Sequence, residues 1–102
     1  PDLADGGRRL SRGPNSARAE AIMAARPRVV AALAASLRDL DAAEDAFAEA
    51  AAACLALPAP PRDAAAWLFV AAKRRAVDAI RKRASEARTA QALVEVSDMA
   101  DI

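Results

Sequence analysis

One hundred and two residues allow one small domain; about a third are Ala, with two Phe, one Trp and no Tyr, so the 55% apolar fraction overstates the core the chain can bury. One Cys excludes an intrachain disulfide, and the absence of His, of a Gly-rich phosphate loop and of a metal-ligand cluster argues against an enzyme and against any cofactor or metal. The formal charge is only +1, yet residues 39–61 hold five acids and no Lys or Arg, while residues 73–88 hold seven Lys/Arg against Asp78 and Glu86. Such segregation points to two different partners or to pairing between the segments, and a concentrated basic run is the footprint of a polyanion site. A solvated helix face is the plain alternative.

Residues 1–16, with Gly6-Gly7, Gly13-Pro14 and few large apolar side chains, are expected to form a disordered tail. A short leading helix is predicted over residues 17–26, with Ser16 as N-cap and Ile22 and Met23 as its apolar contribution. Pro27 should interrupt it and open a second helix, because Pro is tolerated in a first helical turn but not in mid-helix. Val30, Leu33, Leu37 and Leu40 then recur at spacings of three and four, marking one buried face.

The third predicted helix starts at Asp41, where Asp41-Ala-Ala-Glu44 reads as a capping box. Ala43, Phe47, Ala50 and Cys54 form its inner face, and Cys54 is expected to be a small core residue. Pro58, Pro60 and Pro61 must end this helix. Asp63 is a good N-cap for a fourth helix running from Ala64 to about Glu86, and the segment after it is weakly helical by composition and reads as a linker. The fold class is all-α: a compact bundle of three main helices plus a short leading one. The domain is expected over residues 17–88, with a linker over 89–102.

The fourth helix carries the chemistry. Asp78 stands three or four positions from Arg74, Arg75, Arg81 and Lys82, so one carboxylate sits among four cations. It either relieves their repulsion or holds the guanidinium groups for phosphate. Phe69, Ala76, Val77 and Ile80 should face the bundle, and Lys73 falls near that side without a clear role. Trp67 is either core packing or a stacking platform beside the basic track. Glu44 and Asp45 need no catalytic reading; a cap and a solvated neighbour explain them.

Ala43-Glu-Asp45, an acidic helix, a Pro-bearing loop, Trp67-Leu68 and Arg75-Ala-Val-Asp78-Ala-Ile-Arg-Lys-Arg83 together resemble the second conserved region of bacterial sigma factors, in particular the extracytoplasmic-function group. The resemblance covers about residues 19–88. It implies a helical bundle that docks on the clamp helices of core RNA polymerase through Asp41, Glu44, Asp45, Ala48 and Glu49. It further implies that Arg62, Asp63, Trp67, Arg74, Arg75, Arg81, Lys82 and Arg83 engage promoter DNA, on the non-template strand of the −10 element as it melts. An anti-sigma factor is a further partner it implies, without identifying one. The chain departs from the family at Ala48, where a Gln is usual, and at Ala51 to Ala53 and Leu55, which replace larger residues; Arg74 stands where Asn is frequent. No helix-turn-helix domain for a −35 element is visible, so a domain fragment is expected. With no signal peptide and no membrane-length apolar run, the expected place of action is the bacterial cytoplasm, with no membrane partner. A free-standing nucleic-acid-binding module and an acidic-helix protein-interaction domain are the alternatives.

Overall fold

In a computed structural model, residues 13–100 are described, and they form three helices: α1 (Pro14–Leu37), α2 (Leu40–Ala56) and α3 (Ala64–Ala100). Each helix packs on the other two. The all-α class is as expected from the sequence, but the separate leading helix is not there. Gly13, not Ser16, is the N-cap of α1, and Pro14 takes the first helical position, where its missing N–H is harmless. The helix then continues through Pro27. Pro removes one backbone bond and crowds the carbonyl four residues earlier, that of Met23. Met23 is 59% exposed and Pro27 is also exposed, so the freed carbonyl lies on the wet side of the helix. On the opposite side Ile22, Ala25, Val29 and Leu33 are buried at helical spacing, across the proline. Continuous tertiary packing on one face outweighs a local defect on the other.

The turn between α1 and α2 corrects a second expectation. Leu37 ends α1, and Arg38 adopts a left-handed conformation with φ 56°, its N–H donating to the Ala34 carbonyl at 2.7 Å. Asp39 is therefore already extended and becomes the N-cap of α2, its Oδ1 accepting from the Ala42 N–H at 3.0 Å. Asp41 lies inside the first turn, so the capping box with Glu44 does not form. Leu40 belongs to α2 and is 55% exposed, while Val30 and Leu37 are half-buried and Leu33 is fully buried. Arg38 is the one non-Gly residue with positive φ among the described residues. Arg38→Gly should stabilise the domain by roughly 0.5–1 kcal/mol, the left-handed penalty less the extra chain entropy of Gly. A melting midpoint that falls in this variant would show that the Arg38 side chain contributes more than its backbone loses.

The inner face of α2 is as read from its spacing: Ala43, Phe47, Ala50 and Cys54 are buried, joined by Ala46. Asp63 caps α3 as expected, its Oδ1 accepting from the Ala66 N–H at 3.1 Å. From α3 come Leu68, Ala72 and Ala76. Ala76 faces the bundle as expected and Phe69 is half-buried against it; Val77 is half-buried along an open cleft of α3, and Ile80, 45% exposed, does not join the core as its spacing predicts. Beyond the bundle α3 runs on to Ala100 as an exposed helix, well past the expected end near Glu86. Leu93, Val94, Val96 and Met99 lie open along it. Most of the expected N-terminal tail, residues 1–12, and the last two residues of the expected linker lie outside the described residues.

Candidate nucleic-acid interface

The basic helix presents its cations on two sides, which the sequence did not separate. Trp67, Val70, Ala71, Arg74 and Arg75 line one open cleft. One turn on, Phe69, Val70, Lys73, Arg74, Val77, Asp78 and Arg81 line the next. Trp67, Arg74 and Arg81 thus share an outward face of α3, interleaved with Val70, which is 57% exposed. Trp67 is half-buried and packs against the core, and part of it lines the cleft. Lys73 finds an account: its Nζ lies 5.8 Å from the centroid of the Phe69 ring, a cation–π arrangement.

Arg83 turns the other way, and Arg75 borders both sides. With Ala76 and Ala79 they form one wall of a groove whose other wall is Ala42, Asp45, Ala46 and Glu49 of α2. The acidic and basic segments therefore do face each other. They do so at a distance: among the described residues the only ion pair within 4.0 Å is Arg26 Nη2 to Glu44 Oε2, at 4.0 Å and half-exposed. A pair of that kind contributes little. Asp78 has no cation within that distance either, so it does not hold the four neighbouring cations in one geometry. Arg75 instead donates from Nη1 to the Ala71 carbonyl of its own helix at 3.2 Å. Lys82 is exposed and outside these clefts.

On α2, Asp41, Glu44, Asp45, Ala48 and Glu49 are all exposed. They do not form one acidic patch. Glu44 leans to Arg26 on the α1 side, Asp45 and Glu49 lean to the α3 groove, and helical spacing places Asp41, Ala48, Ala52 and Leu55 between them. Arg62 and Asp63 belong to a third cleft, between the loop and α1, lined also by Pro61, Ala21, Ala24 and Arg28.

A sequence profile described as Sigma-70 region 2 matches residues 21–86, more than half of the chain and every element of the bundle. The chain belongs to the sigma-70 region 2 family. A 69-residue stretch of this region 2 chain is 39% identical to an uncharacterized protein of Rhizobium meliloti (strain 1021), covering 65% of the chain and 16% of that longer protein. No solved structure matches it. Among its described residues, no helix of the region 2 chain is long and apolar enough to cross a membrane.

One contributor to this region 2 site was missed in the sequence. Arg18 is only 8% exposed, and its Nη1 donates to the carbonyls of Cys54 at 3.0 Å, Leu55 at 3.3 Å and Leu57 at 2.7 Å. No basic residue lies in the last turn of α2. Arg18 supplies from α1 the positive charge and the donors that the end of a helix needs. A signal was present: Arg18, Ile22, Ala25, Val29 and Leu33 follow at spacings of four, three, four and four, so this Arg sits on the buried stripe itself.

Proposed function

We propose that this domain is the region 2 of an extracytoplasmic-function sigma factor, which directs core RNA polymerase to promoters and holds the melting −10 element. The observation that carries the reading is the outward face of α3, where Trp67, Arg74 and Arg81 stand together on a chain of this family. Non-template phosphates need cations, and unstacked bases need an aromatic surface. Arg74, Arg81 and Lys82 supply affinity in this reading, with Lys73 added. Residues 57–63 supply base choice, because phosphate contacts position a strand without reading it. Arg62 and Asp63 lie in that loop, beside the exposed N–H groups at the start of α3. Arg83, turned toward α2, contributes less than its charge alone implies, while Arg75 borders both sides.

The outward strip of α2 is the polymerase side in the same reading. Its centre, Asp41 and Ala48, is the place to test it. Reversing Asp45 and Glu49 to Lys would also set new cations against Arg75 and Arg83, so that variant mixes binding with folding. In the full-length protein, Asp41→Lys should lower co-purification of core polymerase several-fold, and Ala48→Gln should raise it, with helicity unchanged in both. If the wild type retains no core polymerase, the sigma-factor reading fails. If it does retain it and neither variant alters the yield, the docking strip lies elsewhere.

A further inference from the structure

We propose that Arg18 is the positioning residue of the loop formed by residues 57–63, holding it in the geometry that selects the −10 sequence. The second half of this statement rests on the promoter reading given above; the first half rests on geometry alone.

The loop has few means of holding itself. Three of its seven residues are Pro and donate no backbone hydrogen bond. At its far end it is fixed by Asp63, whose Oδ1 accepts from Ala66 and whose carbonyl accepts from the Trp67 N–H at 3.0 Å. At its near end the Leu57 N–H donates to the Cys54 carbonyl at 3.3 Å, a long bond. The carbonyls of Leu55 and Leu57 then receive their described hydrogen bonds from Arg18. The donor is nine-tenths buried and comes from a different helix. Three carbonyls converging on one guanidinium nitrogen define the direction in which the chain leaves α2. Between these two anchors the prolines stiffen the path, so a change in exit direction at Leu57 is carried to Arg62 rather than absorbed. Pro61 and Arg62 rest beside Ala21, Ala24 and Arg28 of the same helix α1, so Arg18 and the wall of the loop cleft move as one body.

The plain alternative is that Arg18 merely stabilises the bundle. Arg18→Met, which keeps the aliphatic stem and removes the donors, is compared with Arg18→Lys and with Ile22→Val, a mild core change one turn along the same stripe. In the full-length protein, amide exchange is measured by residue, and transcription with core polymerase is measured from two promoters differing only in the −10 element. Arg18→Met should speed exchange of the Leu57 amide by about tenfold, the equivalent of one net hydrogen bond, and leave the amides of Val29 and Ala72 unchanged. It should also shift the ratio of the two transcripts, and Arg18→Lys, whose ammonium can still donate, should restore most of that ratio. Ile22→Val should lower both transcripts in step. A uniform rise in exchange, or an unchanged ratio with both outputs falling together, overturns the proposal. If the wild type with core polymerase uses neither promoter while the local loosening occurs, the promoter reading falls with the selectivity half, and the clamp on the loop stands.

Discussion

Leu68→Ala should remove about half of the stability of the domain. Leu68 is fully buried where α3 meets both other helices, and it is one of few large side chains in the core. A buried Leu→Ala change costs about 3–5 kcal/mol, the lost transfer free energy plus the cavity left behind. A domain of this size has about 5–10 kcal/mol in total. Ala72, Ala76, Ala46 and Ala50 share the core cluster of Leu68. Short side chains cannot swing in to fill the space, so the upper part of the range is expected. The melting midpoint, followed by circular dichroism, should fall by about 15–25 °C. Leu93→Ala, at a site 66% exposed on the distal part of α3, should leave the midpoint in place. A loss below about 1 kcal/mol for Leu68→Ala would mean that α3 is not anchored through this residue.

Replacing Arg74 and Arg81 with Gln should weaken binding of single-stranded DNA about 25-fold at 0.1 M salt. If the outward cations Lys73, Arg74, Arg81 and Lys82 each meet a phosphate, the log–log salt slope should be about −3 for the wild type. Losing two contacts should flatten it by about 1.4, and that difference gives the affinity loss at 0.1 M salt. Arg83→Gln removes one charge from the wall facing Asp45 and Glu49 alone. It should change the slope by much less than the roughly 0.7 of a full phosphate contact. A flattening of about 0.7 by this variant would show that the strand follows the charge of α3 as a whole and not its outward face. Trp67, the only Trp, reports directly on the same cleft through its fluorescence.

The readable parts of this fold were those where local and tertiary preferences agree. Asp63 after three prolines fits only a helix start, and Ala43, Phe47, Ala50 and Cys54 fit only an inner face; both are found. The readings that failed were local rules overridden from a distance. Pro27 looks like a boundary until Ile22, Ala25, Val29 and Leu33 are seen to bury one stripe across it. Asp39 and Asp41 are equally good caps in isolation, and the left-handed turn at Arg38 decides between them. In the candidate site, Trp67, Arg74 and Arg81 come together as their spacing on one face requires. The turning of Arg83 toward α2 depends on where that helix lies, which no spacing within α3 encodes. Asp78 stands three or four positions from four cations, but exposed side chains in water need not close ion pairs, and among the described residues it closes none within 4.0 Å. Arg18 went unread because an Arg on an apolar stripe is usually a long side chain reaching for solvent, and here it reaches three carbonyls instead.

Half of the buried apolar residues are alanines: Ala25, Ala43, Ala46, Ala50, Ala72 and Ala76. Methyl side chains at a helix seam permit interaxial distances toward the short end of the usual range of about 8–10 Å. Such a seam has no slack. A larger residue at Ala50 or Ala72 finds no rotamer that clears the facing helix and must wedge the pair apart. The wedge is felt on both outer surfaces at once, the strip of α2 and the cleft face of α3, because each is carried by a helix that borders the seam. A substitution at one of the smallest side chains of this domain can therefore disturb the alignment of both surfaces while touching neither.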